Sequence, residues 1–127
     1  MIYLKRVEYD RQKAKDYAKK WVEIYDRKDC SILALEQENT YSLKYNLALD
    51  CLIGEPLFNE ELREKEVSYY LTRKNRYGIP LDTRNTYTKT DWMAWVTCLT
   101  KDYTKREEIF KCMFDFIILF YYTLSAY

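Results

Sequence analysis

Histidine is absent from the 127-residue chain. Its absence excludes Ser-His-Asp and Cys-His catalysis within the chain, together with any metal site that needs an imidazole ligand. The cysteines are Cys30, Cys51, Cys98 and Cys112, and no two of them form a C-x-x-C pair. This scatter argues against a zinc site and against thioredoxin-like redox chemistry. We therefore expect no bound metal, no cofactor, and cysteines that are buried free thiols.

Glycine and proline are scarce, with two of each, so an all-β meander with its many turns is not expected. Charge of one sign is also missing, because 21 basic and 20 acidic residues leave a net charge of +1. The two signs are interleaved along the sequence, which argues against nucleic-acid binding through a basic surface. With 48% hydrophobic and 32% charged residues, the composition predicts one small, soluble, globular domain over residues 1–127.

Long hydrophobic runs are missing as well. Residues 1–12 lack the continuous apolar stretch of a signal peptide, and no localisation follows from them. Residues 116–127 are apolar and uncharged, but they are fewer than the roughly 20 residues that span a bilayer. What the chain does have is tyrosine, with 14 copies, which suits an amphipathic helical core or the hydroxyl-tipped wall of a pocket.

Apolar residues recur at helical spacing in the first half of the chain. The first predicted helix covers residues 9–27, with charges on its outer face. The second covers residues 41–53 and ends at Gly54, and its nearly continuous apolar surface predicts burial on several sides. The third begins after Asn59, which is expected to be its N-cap, and ends near residue 74.

Two further helices are predicted in the second half. The fourth is capped by Thr90 and presents Trp92 and Trp95 to the core. The fifth begins at a capping box formed by Thr104 and Glu107 and continues to about residue 122. No strand is predicted. The expected fold class is therefore all-α, with about five helices in antiparallel hairpins.

A first group of polar residues lies in the second predicted helix. Asn46 and Asp50 are four residues apart on an otherwise apolar cylinder, and Lys44 is nearby. Polar groups on a buried helix need hydrogen-bonding partners. The pattern therefore indicates either a structural hydrogen-bond network or the wall of a pocket.

A second group lies between the third and fourth helices. Asp82, Arg84, Lys89 and Asp91 place two carboxylates and two cations within ten residues. Two carboxylates can carry out general acid–base catalysis, and Arg84 can bind a substrate carboxylate in a bidentate pair. The alternative is an ordered loop that is held by its own salt bridges, with Thr90 and Asp91 capping the next helix.

Three segments carry motifs in a fixed order: AKDYAKKWVEIY, TYSLKYNLALDCLIGEPLF and YYLTRKNRYGIPLDTRNTYTKTDWMAW. Over residues 14–116 they resemble the helical domain of the glutaminase A family of fungal and Bacteroides-type proteins. That family shows W-S-x-K-Y-N, then L-x-x-x-N-x-Y-G-x-P-L-D-x-R, then Y-T-K-x-D-W, and Tyr41 stands where the first motif has tryptophan. The matching positions are Ser42, Lys44, Tyr45, Asn46, Asn75, Tyr77, Gly78, Pro80, Leu81, Asp82, Arg84, Tyr87, Thr88, Lys89, Asp91 and Trp92.

The resemblance implies part of an α/α toroid, similar to the six-hairpin glycosidases, and hydrolysis of L-glutamine to L-glutamate and ammonia. It implies a small amino-acid substrate. The matched motifs supply Asp82 and Asp91 as catalytic candidates. They supply substrate-binding candidates at Arg84, Lys89, Lys44, Asn46 and Tyr87. Members of the family are several hundred residues long and secreted or periplasmic, so five helices are expected to be inactive on their own.

Two other functions fit the same residues. The chain can be part of a six-hairpin glycoside hydrolase, with Asp82 and Asp91 as acid and base, because a fold does not determine a function. It can also be a non-catalytic helical interaction module. In either case a partial toroid leaves apolar helix faces without neighbours, and such faces usually become interfaces, so self-association is expected.

Overall fold

The computed structural model describes residues 2–54 and 56–125, and its regular structure there is helical. A 3-10 turn, Thr97–Leu99, continues the fourth helix. Within this range β pairing is limited to isolated bridges, Ser42 with Asp82 and Asn75 with Gly78. The all-α prediction is therefore confirmed. The helices are α1 (Ile2–Tyr25), α2 (Leu47–Ile53), α3 (Glu60–Thr72), α4 (Thr90–Val96) and α5 (Tyr103–Ser125).

The second helix is shorter than predicted, because it begins at Leu47 and not at Tyr41. The backbone before it is extended and pairs with a later loop. Leu43 N donates to Leu81 O at 2.8 Å, and Thr83 N donates to Tyr41 O at 3.2 Å. These bonds replace the helical ones that the apolar pattern predicted. The end of α2 was predicted correctly, since Gly54 closes it in the left-handed conformation with φ +80°.

The cap predictions had mixed outcomes. Asn59 caps α3 as expected, because its side chain accepts a hydrogen bond from Leu62 N at 2.8 Å. Thr90 is instead the first residue of α4. Thr104 lies inside α5, whose first turn is capped by the Asp102 carboxylate. An aspartate before the helix accepts these amide bonds, so the proposed Thr104–Glu107 box is wrong.

The long helices α1, α3 and α5 run in the same direction. Between α3 and α5, ion pairs join Glu60 to Lys101, Glu64 to Lys105 and Lys74 to Glu108, so residue numbers rise together along both helices. Between α1 and α3 the order is also parallel, because Trp21 contacts Phe58 and Asp26 pairs with Lys65. Parallel odd-numbered helices are what a chain of alternating up and down helices produces.

The core lies around α3 and the extended segment before α2. Its fully buried members include Val67 and Tyr70 of α3, together with residues of α2, α4 and α5. Two sequence predictions fail here. Trp95 is 43% exposed, because Met93 and Val96 face the core instead. Cys30 and Cys112 are buried free thiols, whereas Cys51 is half-buried and Cys98 is exposed.

Two helix faces are apolar and exposed. The exposed face of α2 consists of Leu49, Leu52 and Ile53, and Ile53 is 76% exposed. The predicted burial of this helix on several sides is therefore wrong. On α5 nearly every apolar side chain from Phe114 to Leu124 is exposed. Along residues 2–54 and 56–125, no helix combines the length and the apolar character that crossing a bilayer requires.

Gly78 closes the tight turn that follows α3. Its φ is +150°, and a Cβ placed there would lie 2.7 Å from Thr88 Cγ2 and 3.1 Å from Met93. We expect Gly78→Ala to destabilise the fold by about 3 kcal/mol, through backbone strain and overpacking together. Urea unfolding measures the loss. Gly54→Ala is the matched control, because its φ is +80° but its Cβ would meet nothing within 4 Å. It should cost about 1 kcal/mol, and equal losses for the two variants would contradict the packing argument.

Candidate functional site

The pairing of residues 41–43 with residues 81–83 brings two of the motifs together, S-x-K-Y-N and P-L-D-x-R. Ser42 and Asp82 lie opposite each other in this pairing. The side chains around it line an open groove of about 540 Å³. The lining residues are Trp21, Tyr25, Ile32, Leu33, Ser42, Leu43, Lys44, Tyr45, Asn46, Leu47, Phe58, Asp82, Arg84 and Trp92.

Lys44 is buried at the floor of this groove and retains 8% exposure. Its Nζ contacts Ser31 O at 3.1 Å, Ser42 O at 3.1 Å and Ser42 Oγ at 3.0 Å. Burial lowers the pKa of the Lys44 ammonium, and the nearby negative charge of Glu66 opposes that shift. The salt bridges of the described residues do not include Lys44, so its charge is compensated mainly by carbonyl and hydroxyl dipoles.

Glu66 and Tyr70 of α3 support this floor from below. The fully buried Glu66 accepts from Ser31 N at 2.6 Å through Oε1 and from Tyr70 Oη at 2.7 Å through Oε2. Tyr70 Oη in turn accepts from Lys44 N at 3.0 Å. Burial and then the charge of Glu66 raise the pKa of Tyr70 well above its usual range. This network holds the backbone on both sides of the Lys44 ammonium.

Sequence reasoning missed Glu66 and Tyr70. They are four residues apart on α3 and both are fully buried. The signal that could have found them is a glutamate and a tyrosine at i, i+4 spacing on the helix face that also carries Leu62.

Asp82 and Arg84 form a close pair at the rim of the groove. Asp82 Oδ1 accepts from Arg84 N at 2.8 Å and from Nε at 3.1 Å, and Oδ2 accepts from Nη2 at 2.6 Å. The side chain of Arg84 is 73% exposed and that of Asp82 is 12% exposed. The Arg84 hydrogen bond lowers the pKa of Asp82, so this carboxylate is ionised. An ionised carboxylate binds cations well and is a poor proton donor.

Aromatic rings form much of the remaining wall. Trp21 stacks on Tyr25 with centroids 5.4 Å apart and meets the edge of Phe58 at 5.4 Å. Tyr45 lies against Trp92 at 4.0 Å. Trp21 and Trp92 are half-buried and pack against the core, as the sequence predicted, and they also line the groove. Flat hydrophobic walls with a few polar groups are typical of small-molecule sites.

The other predicted site residues lie partly inside and partly outside the groove. Asn46 lines the groove at the start of α2, and its side chain makes no cap bond. Lys89 lies over the ring of Trp92, 5.4 Å from its centroid. Tyr87 is 66% exposed and lines a smaller pocket beside Asp82 and Arg84. Asp91 is exposed in the first turn of α4 and does not line the groove.

Asp50 and Asn46 have different roles, and each of the two predicted alternatives holds for one of them: Asp50 joins a structural hydrogen-bond network, and Asn46 lines the groove. The Asp50 carboxylate accepts from Leu57 N at 2.6 Å and from Phe58 N at 3.1 Å, and Arg63 lies 3.8 Å away. Asp50 therefore stabilises the loop between α2 and α3.

Comparisons with known proteins agree with the motif order. The model of the family described as the glutaminase A six helical-hairpin domain matches residues 4–119. "Glutaminase A" of Aspergillus oryzae (strain ATCC 42149 / RIB 40) is 32% identical over 93 residues, which cover 70% of this chain and 14% of that protein. The chain thus corresponds to a small part of this relative. No solved structure gives a significant match.

The Asp82–Arg84 pair should make stability depend on acid pH. A carboxyl group with a lowered folded-state pKa stabilises the fold above its unfolded-state pKa of about 3.9. That contribution disappears as the pH falls through the lowered folded-state value. We expect the unfolding free energy of the wild type to fall more steeply below pH 4 than that of Asp82→Asn. Urea unfolding at pH 2 to 7 measures it.

Arg84→Gln is the matched variant for this test, because the guanidinium is the main cause of the lowered pKa. Like Asp82→Asn, this variant should show a smaller fall in unfolding free energy below pH 4 than the wild type. If the unfolding free energy of both variants falls below pH 4 as steeply as that of the wild type, the pair does not contribute to stability.

Proposed function

Because the chain belongs to the glutaminase A six helical-hairpin domain family, we propose that it is part of an amidohydrolase. The reaction converts L-glutamine and water into L-glutamate and ammonia. One observation carries the proposal. Four polar residues of the matched motifs, Lys44, Asn46, Asp82 and Arg84, line the same groove although they come from segments almost forty positions apart.

The charges at the rim suit an amino acid. Arg84 uses Nε and Nη2 to hold Asp82, and its Nη1 makes no hydrogen bond within residues 2–54 and 56–125. This nitrogen has two N–H donors for an α-carboxylate, and the ionised Asp82 attracts an α-ammonium group. The amide of Asn46 is a partner for the substrate carboxamide. We assign Tyr87, Lys89 and Asp91 to the margin of the site, with Asp91 as the second catalytic candidate.

The site is proposed to be incomplete. In our proposal the chain forms part of an α/α toroid whose further helices cover the exposed faces of α2 and α5. The parallel α1, α3 and α5 and the small share of the Aspergillus relative that the chain matches both support this. Catalysis needs preorganised groups around the transition state. The isolated chain should therefore not turn over glutamine.

A glycoside hydrolase is the second candidate, because the aromatic groove offers rings on which a sugar can stack. That reaction requires a carboxylic acid with a raised pKa as proton donor. Asp82 has the opposite shift, owing to Arg84. Amide hydrolysis therefore fits the groove better.

The function is tested in a full-length relative. We expect alanine at the position matching Asp82 or Arg84 to lower kcat/KM on L-glutamine at least tenfold, which is about 1.4 kcal/mol of transition-state stabilisation. KM should rise more in the Arg84 variant than in the Asp82 variant, because the Arg84 variant no longer binds the substrate carboxylate. Steady-state ammonia release gives both constants.

The control is alanine at the position matching Lys101, which is 76% exposed and lies outside the groove. This variant should keep wild-type kinetics. If both groove variants also stay folded and keep wild-type kcat/KM, the loop is only a structural connector. Hydrolysis of glycosides but not glutamine would favour the second candidate.

We also propose that the isolated chain self-associates through α5. Residues 116–125 carry no charge, and their large apolar side chains are 37–66% exposed. A continuous exposed apolar surface of this kind usually becomes an interface. Light scattering at tens of micromolar should show dimers or larger species, and Phe120→Glu should shift them towards monomer. Tyr103→Glu, at the opposite end of α5, is the control. A strictly monomeric wild type would contradict this proposal.

A further inference from the structure

Ser42 and Lys44 bring a hydroxyl and an amine together in the groove. Their Oγ and Nζ atoms are 3.0 Å apart, and both residues line the groove wall. Ser42 is half-buried and lines the groove, whereas Lys44 is buried. A hydroxyl within hydrogen-bond distance of a buried amine has the geometry of an activated nucleophile.

The surroundings of Lys44 accept both of its protonation states. An ammonium group has three donors, and three oxygens surround Nζ: Ser31 O, Ser42 O and Ser42 Oγ. A neutral amine has two donors and one lone pair. The two carbonyls then accept its hydrogens, and the lone pair accepts the Ser42 hydroxyl proton. Lys44 can therefore gain and lose a proton without moving its neighbours.

The charged and titratable groups around Lys44 leave its Nζ atom without a direct carboxylate partner, although the negative charge of Glu66 opposes the effect of burial. Glu66 and Tyr70 approach from α3, Cys30 approaches from the loop after α1, and Asp82 lies across the groove. Glu66 is bound by Ser31 N and Tyr70 Oη, so it stays in place and does not form an ion pair with the amine. Burial without a direct carboxylate partner is what prepares a lysine to act as a base.

We infer that Ser42 and Lys44 form a serine–lysine dyad that acts on the side-chain carboxamide of the substrate. This inference rests on the proposed amide hydrolysis and names its nucleophile and base. Serine–lysine pairs are a known variant of nucleophilic catalysis on unrelated folds. The dyad needs no histidine, which this chain lacks.

Hydrolysis of the carboxamide by this dyad needs no reactant other than water. Ser42 Oγ forms a bond to the carboxamide carbon while its proton passes to Lys44 Nζ. The C–N bond then breaks, and the Lys44 ammonium returns the proton to the departing ammonia. Water next attacks the ester on Ser42, with Lys44 again taking and returning a proton, and glutamate leaves.

Covalent labelling of the chain tests the dyad. The probe is an alkyl fluorophosphonate, which forms a stable bond with activated serines, and peptide mass spectrometry locates the label. We expect a single modification at Ser42, at a rate that rises with pH through a midpoint below the usual lysine pKa of about 10.4. Ser42→Ala should not be labelled, whereas Ser68→Ala, on an exposed face of α3, should react like the wild type.

Lys44 variants separate a base from a structural contact. Lys44→Arg keeps a cation that can donate hydrogen bonds but cannot deprotonate, and it should slow labelling at least about 100-fold, within the usual range for general-base loss. Lys44→Ala should be equally slow and should recover when methylamine is added. Circular dichroism confirms that each variant is folded. A structural lysine would predict normal labelling in Lys44→Arg and no amine rescue.

Adding L-glutamine during labelling of a full-length relative, at the serine that matches Ser42, distinguishes the two proposals, because the proposed site is incomplete in the isolated chain. Slower labelling in the presence of glutamine supports the dyad and the glutamine site together. Labelling of this serine that glutamine does not slow supports the dyad and contradicts glutamine as the ligand. If the folded wild type is not modified at Ser42, or if folded Lys44→Arg reacts at the wild-type rate, the dyad is wrong, whatever the kinetics of the full-length relative show.

Discussion

The two backbone hydrogen bonds between residues 41–43 and residues 81–83 are the interaction on which the groove depends. They place Ser42 opposite Asp82, and the Tyr41 hydroxyl strengthens the contact by donating to Pro80 O at 3.1 Å inside the core. A segment that the apolar pattern assigned to a helix is extended because these bonds satisfy its amides. Without them, the polar residues of the two motif blocks would have no common surface.

Burial of opposite charges gives the floor of the groove its character. Lys44 and Glu66 are both buried, yet they are linked through the Ser31 backbone and the Tyr70 hydroxyl rather than by an ion pair. A direct pair would favour the ammonium form of the lysine. The indirect link keeps both groups hydrogen-bonded while burial lowers the pKa of Lys44. In our proposal, the same arrangement provides both the structural order and the reactivity of Lys44.

The rim and the floor have different tasks in our proposals. At the rim, Asp82 and Arg84 are accessible enough to meet a zwitterion, and their mutual pairing keeps the carboxylate ionised. At the floor, Ser42 and Lys44 supply the nucleophile and the base. We propose that the additional chain of the longer Aspergillus relative covers the exposed faces of α2 and α5. Such enclosure would strengthen every electrostatic interaction in the groove.

Local chemistry determined much of this protein from the sequence alone. The all-α class, the cap at Asn59 and the end of α2 at Gly54 follow from side chains acting on their own neighbours, and the motif order identified the family. Only the tertiary structure decided that Tyr41 starts an extended segment, that Trp95 faces outward, and that Glu66 supports Lys44. The reason is physical: the partners of these residues lie far away in the sequence, so no local pattern encodes the hydrogen bonds and packing that determine their positions.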